Sequence, residues 1–231
     1  MRSKKKAILL LLFIAGSLAL SPVFCEETTK VFMIDDFNSK IMFNLAGGKT
    51  QGYEEAGVRC IPTFTDDPKE RHGDKGASLR LDFDVDKRNS FSYYWTTLIV
   101  EKKTEVEGRN IEIISFADLR DYDFLEFWFK DPQGGIDFVI EIHEDVNGDG
   151  AYMMGVDKIS TVNIGQYIDK SAVGKWQKIS IPLTRFSNIK GWDRILEIVF
   201  VFKNGYGIPK GTVYLDDLAL IKRPVFDTIN N

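Results

Sequence analysis

Leu79-Arg80-Leu81-Asp82-Phe83-Asp84-Val85-Asp86 and Leu125-Glu126-Phe127-Trp128-Phe129-Lys130 both alternate with a period of two. Successive side chains of an extended chain point to opposite faces, so each segment reads as a strand with one apolar and one polar face. The rule extends outward along the chain. Phe138, Ile140 and Ile142 alternate with Glu141 and His143, and Leu196, Ile198, Phe200 and Phe202 leave Glu197 and Lys203 facing out. Val213 and Leu215 alternate with Tyr214 and Asp216 in a last strand before Arg223-Pro224. Turn-forming clusters separate these runs: Asp131-Pro132-Gln133-Gly134-Gly135, Asn147-Gly148-Asp149-Gly150 and Asn204-Gly205-Tyr206-Gly207. Apart from one helical turn allowed at Ala117–Tyr122, nothing after residue 25 repeats at 3.6 residues. The pattern predicts an all-β chain folded as an antiparallel β-sandwich.

Composition narrows the function classes. The chain has 231 residues, 44% hydrophobic and 28% charged, which excludes a disordered or fibrous protein. Its formal charge of −4 disfavours a nucleic-acid partner held through phosphates. Arg2, Lys4, Lys5 and Lys6 precede the small and apolar run Ala7–Leu20, the order of a secretory signal peptide. The expectation is a signal over residues 1–25, cleavage before Glu26, and a single exported domain over 26–231, periplasmic or secreted. Removing the signal takes four basic residues and no acid, so the mature chain is more acidic still. An uncleaved N-terminal anchor and lipid on Cys25 are the alternatives, and either would tether the domain to a membrane. Cys60 would then be the one remaining cysteine, so no internal disulfide forms, and burial is its expected state.

Chemical motifs are few. His72 and His143 stand far apart, and no metal-protease, phosphate-loop or nucleophile-elbow pattern occurs. Asp145-Val146-Asn147-Gly148-Asp149-Gly150 matches the first half of a calcium loop, with Asp145, Asn147 and Asp149 offering alternate hard oxygens. Val156 stands where the bidentate glutamate belongs, and a polar hairpin turn explains the same residues.

Six ordered segments carry a family resemblance: Ile34-Asp35-Asp36-Phe37, Asn44-Leu45-Ala46-Gly47-Gly48, Gly76-Ala77-Ser78-Leu79-Arg80-Leu81-Asp82, Tyr122–Lys130, Lys175-Trp176-Gln177-Lys178-Ile179-Ser180-Ile181-Pro182-Leu183 and Gly211–Leu218. In this order, over about residues 31–222, they resemble galactose-binding-like jelly rolls. The similarity is to the family 11 carbohydrate-binding modules and the related complex I intermediate-associated proteins. The resemblance implies a jelly-roll sandwich, a polysaccharide or oligosaccharide ligand on a polar concave face, and a structural Ca²⁺ where the terminal strands meet. Asp36 and Asp216 are its expected side-chain ligands there.

On the polar face, Trp128 points away from Phe127 and Phe129, together with Glu126 and Lys130. Glu141 and His143 occupy the matching face of the following run. If those two strands pair, Trp128, Lys130, Glu126, Glu141 and His143 form one glycan-binding surface, an aromatic plane beside hydrogen-bonding groups. Tyr93, Tyr94 and Trp95 add aromatics of undetermined facing, and Tyr94 is included among the candidate ligand contacts. A protein-interaction or assembly domain of the same fold is the alternative function. A glycosidase is a third, should Glu126 and Glu141 be cross-strand neighbours.

Overall fold

The computed structural model describes residues 29–106 and 109–224, with side chains described outside 101–112. The signal segment and Cys25 lie outside the described residues. In chain order the strands are β1 (Lys30–Asp35), β2 (Thr50–Gly52), β3 (Glu54–Glu55), β4 (Val58–Thr65), β5 (Ser78–Asp84) and β6 (Phe91–Thr97). There follow β7 (Ile99–Val106), β8 (Arg109–Phe116), β9 (Phe124–Lys130) and β10 (Val139–Glu144). The last four are β11 (Lys158–Asn163), β12 (Trp176–Pro182), β13 (Ile195–Lys203) and β14 (Lys210–Lys222). All pairings between them are antiparallel.

Two sheets face each other. The seven-stranded sheet runs β12-β9-β14-β5-β4-β3, with β1 also on β14, and the five-stranded sheet runs β11-β10-β13-β6-β2. Strands β7 and β8 form a separate hairpin. Leu125, Phe127 and Phe129 of β9 point inward, as do Ile140 and Ile142 of β10 and Ile198, Phe200 and Phe202 of β13. Their aromatic rings interlock across the gap: Phe127 meets Phe200 at 5.6 Å, Phe129 meets Phe138 at 5.8 Å, and Phe83 stacks on Phe202 at 4.2 Å. Such tilted and offset contacts add to the area the rings bury. Cys60 is buried in this core, and burial pushes its thiol pKa up.

The period-two alternation therefore identifies the inner faces, but the connection after β9 departs from the sequence expectation. Strands β9 and β10 do not pair; they belong to different sheets. The Asp131–Gly135 cluster is a crossing between sheets, because the buried Asp131 carboxylate accepts N–H from Gln133, Gly134 and Ile136 at 3.0, 2.7 and 3.0 Å. Positive φ at Gly134 and Gly135 (80° and 81°) lets the chain turn this sharply.

Phe200 sits at the hub of the interlock, touching Phe127, Phe138 and Tyr94. Phe200→Ala is expected to lower unfolding stability by ~3–5 kcal/mol. Denaturant titration with unchanged slope would register it as a shift of midpoint alone.

Candidate functional site

The outer face of the five-stranded sheet is assembled by register. Opposed residues of an antiparallel pair share a face, so His143 lies beside Glu197 and Ile159, and Glu141 beside Val199 and Thr161. On the next strand Trp95 opposes Val199, Tyr93 opposes Val201 and Phe91 opposes Lys203. Val139, Val199 and Val201 form a buried apolar floor on which Tyr93 and Trp95 pack. Beside them three rings lie nearly parallel: Tyr53 on Tyr93 at 4.8 Å, Tyr53 by Phe91 at 6.5 Å, and Phe91 by Tyr93 at 6.2 Å. Phe91 is 52% exposed, a large apolar surface left to water.

Along the other side runs a chain of charges. Lys203 Nζ is 3.2 Å from Glu141 Oε1, Glu141 Oε2 is 3.5 Å from His143 Nε2, and His143 Nδ1 is 2.8 Å from Glu197 Oε1. The Nδ1 contact is an ion-pair approach rather than an aligned hydrogen bond. Burial pulls the His143 pKa down, yet the two glutamates outweigh it and push it up to about 9. His143 is thus an imidazolium at neutral pH. The same partnership holds Glu141 below the usual carboxylate range. Phe91, Tyr93, Val199, Val201, Lys203, Glu141, His143, Glu197, Ile159 and Tyr152 enclose an open cleft of about 330 Å³. From Glu197 to Lys203 on β13 the cleft spans six residue steps, about 20 Å.

Glu141 and His143 thus lie in the cleft, and the other expected ligand contacts do not. Trp128, Glu126 and Lys130 are on the outer face of the opposite sheet, because the Asp131 crossing separates β9 from β10. The loop after β4, residues 66–77, straps over them there. His72 stacks on Trp128 at 4.2 Å, Trp176 Nε1 donates to the Arg71 carbonyl at 3.0 Å, and Tyr214 donates to Glu70 at 2.8 Å. Lys130 donates to the Lys69 carbonyl and lies over the rings of Trp176 and Tyr214. Glu126 is buried against Lys178 (2.7 Å), Ser180 (2.9 Å) and Arg223. Tyr94 is a core residue, 1% exposed, facing inward toward Phe200. Glu126 and Glu141, on separate sheets, are not cross-strand neighbours, so this pair does not form.

Phe91, Tyr53 and Tyr152 were not singled out by the sequence, and the facing of Tyr93 and Trp95 was undetermined. In Phe91-Ser92-Tyr93-Tyr94-Trp95-Thr96 both alternating sets carry bulky rings, so periodicity gives no polarity. The usable signal lay on the partner strand, where Val199 and Val201 share a face with Glu197 and Lys203.

The two acidic motifs adopt different surroundings. Strand β14 is irregular between Asp216 and Ala219, with Asp217 at φ 47°, and β1 shifts register beside it at Asp35. Asp35 and Asp216 are buried there. Burial first, then the neighbouring Asp217 and Asp36 charges, pushes the Asp216 carboxyl up to about 7; Ser78 and the Asp217 N–H only partly compensate. Burial likewise pushes Asp35 up to about 6. Asp145, fully buried, accepts from Gly148 N (2.5 Å) and Gly150 N (2.7 Å), while Asn147 donates to Asp149 at 2.7 Å. Among the described residues no group of three His, Cys, Asp or Glu side chains converges as a metal site. Nor is any helix among them long and apolar enough to cross a membrane.

The family model described as Carbohydrate binding domain 30 matches residues 46–222. A crystal structure of a family 30 carbohydrate-binding module superposes with a TM-score of 0.58 at 20% identity, covering 87% of this chain and 93% of that one. The family 30 module of a Clostridium thermocellum cellulosomal cellulase gives 0.53 at 20% identity, covering 83% and 96%. The C. thermocellum family 11 module in complex with a β-1,3-1,4-mixed-linked tetrasaccharide gives 0.50 at 15% identity, covering 82% and 94%. No curated protein matches.

The raised carboxyl pKa values at the β14 irregularity fix a sign. A carboxyl that binds its proton more tightly when folded favours the native state below its unfolded pKa, near 3.8, and that contribution is lost as pH rises through about 7. Stability in chelator is therefore expected to fall between pH 4 and pH 7, and Asp216→Asn should flatten the fall. Urea midpoints at several pH values in that window measure it, and equal slopes for the two proteins would refute the assignment.

Proposed function

The chain belongs to the carbohydrate binding domain 30 family, and on that premise we propose that it binds a neutral β-linked glucan along the outer face of its five-stranded sheet. One observation carries the placement: an aromatic row of exposed Phe91 and half-buried Tyr93 and Tyr53 runs beside the Lys203–Glu141–His143–Glu197 charge chain over a valine floor. Sugar rings present C–H faces that pack on aromatic planes and hydroxyls that pair with carboxylates, ammonium and imidazolium. The charge chain holds two anions and two cations at neutral pH, so it offers hydroxyl partners without attracting an acidic polymer. The protein acts by holding its glycan, with no bond broken.

Phe91→Ala and Glu141→Gln are each expected to weaken binding to soluble mixed-linked β-glucan about tenfold, equivalent to ~1.4 kcal/mol. Phe91→Ala should leave the melting temperature nearly unchanged, since half its ring is already in water. Trp128→Ala should do the opposite, losing about 2–3 kcal/mol of stability, below the ~3–5 of a fully buried ring, with affinity intact. Affinity electrophoresis against β-glucan and polygalacturonate, with thermal melts, reads all three. Loss of affinity in Trp128→Ala alone would move the site to the other sheet.

The same reading places a structural Ca²⁺ at the β14 irregularity, held by two side-chain carboxylates rather than a cluster of three. Asp216 and Asp36 repel one another in a partly desolvated place, and a divalent cation supplies the compensating charge. Asp36 and Asp216 would hold it; Asp145, Asn147 and Asp149 form the other place considered. At a hundredfold excess over its dissociation constant the ion would add about 2.7 kcal/mol. Melting should rise in millimolar calcium relative to chelator, and Asp36→Ala or Asp216→Ala should abolish the difference. If Asp149→Ala abolishes it instead, the ion belongs to the β10–β11 loop, and identical melts with and without calcium would dispose of it.

A further inference from the structure

The loop between β10 and β11 carries the Asp145–Gly150 motif, and it also delivers Tyr152 to the cleft. Tyr152 is 38% exposed and its ring lies 4.8 Å from that of His143, at the end of the cleft away from Phe91. We propose that Tyr152 is a specificity-determining residue that closes the His143 end of the cleft and sets the length of glycan chain the protein grips; this rests on the glycan-binding function proposed above.

The loop is tied down on both sides of Tyr152. At its start, both oxygens of buried Asp145 accept backbone N–H groups, from Gly148 and Gly150. At its end, Asp157 Oδ1 accepts from Val146 N at 2.9 Å and Oδ2 from Met153 N at 2.6 Å. Met153 is the residue next to Tyr152, so this carboxylate fixes the backbone from which the ring projects. Arg194, just before β13, joins the loop to the sheet: its carbonyl accepts from Asp145 N at 3.0 Å and its guanidinium donates to the Val146 carbonyl at 2.9 Å. Gly148 and Gly150, at φ 76° and 79°, permit the turn.

The ring itself is held differently. Tyr152 is followed by exposed Met153 and Met154, so its contact with the His143 ring, rather than the core, positions it. A cationic imidazolium beside the ring favours that position electrostatically. A chain lying along the cleft from Phe91 reaches this ring after about 20 Å. Up to that length each added sugar gains contacts, and beyond it further sugars project into water.

Calorimetric titration with β-glucan oligosaccharides of increasing length tests this. In the wild type, affinity should rise with length and level off. In Tyr152→Ala it should level off at a shorter chain, with about a tenfold loss for the longest oligomers and little change for the shortest. Tyr152→Phe should restore the wild-type series, because the ring and not the hydroxyl faces His143. Asp157→Ala, which frees the loop but keeps the ring, should resemble Tyr152→Ala. A Tyr152→Ala series identical to wild type, or weakened equally at every length, overturns the assignment while Phe91→Ala still reports the cleft. A folded wild type that binds no oligosaccharide overturns the proposed function and this inference together.

Discussion

Asp131 is buried at the end of β9, and three backbone N–H groups converge on its carboxylate. A buried anion requires such donors, and the only geometry that supplies them here is a chain doubling tightly after Pro132. That turn carries the polypeptide from the seven-stranded to the five-stranded sheet. Every later placement depends on it. It decides that Ile140 and Ile142 meet Phe127 and Phe129 across the core instead of beside them. It also sends Trp128 and His143 to opposite surfaces of the protein.

The inner faces were legible because burial and periodicity are coupled within one strand. Leu79, Leu81 and Phe83, or Ile198, Phe200 and Phe202, need no knowledge of their neighbours to be assigned inward. Which strand lies next to which is a different kind of information. Asp131-Pro132-Gln133-Gly134-Gly135 is rich in turn residues whether it closes a hairpin or crosses between sheets, so local sequence has the same appearance in both. The candidate site inherited this ambiguity. Glu141 and His143 were correctly turned outward, but their aromatic companions came from β6 and the β10–β11 loop, brought in by register and not by sequence proximity.

Trp128 illustrates a second limit. Period two fixes which face a side chain takes, and it does not fix whether that face meets water. The loop over residues 66–77 covers the outer side of β9, β12 and β14 with His72, Arg71, Lys69 and Glu70, making a second layer of ring contacts and hydrogen bonds outside the sandwich. Even the charged neighbours serve this layer. Lys130 lies over two aromatic rings, and Glu126 is neutralised by Lys178 and Arg223. The aromatic that looked most exposed in sequence is therefore part of the structural packing.

The five-stranded sheet shows the converse. No comparable strap crosses its outer face among the described residues, and its apolar floor of Val139, Val199 and Val201 is buried with Tyr93 and Trp95 packed against it. Burying His143 beside two glutamates and against the Tyr152 ring costs desolvation, and the charges offset that cost by pairing with one another. Pairing turns both His143 nitrogens to the glutamates, leaves Lys203 and Glu141 part-exposed, and keeps the sum of charge at zero. The two surfaces thus use similar residues to opposite ends. Where a loop supplies the partners, aromatics and charges close the fold; where none does, they stay available to a ligand whose own hydroxyls and C–H faces supply what the loop supplies on the other side.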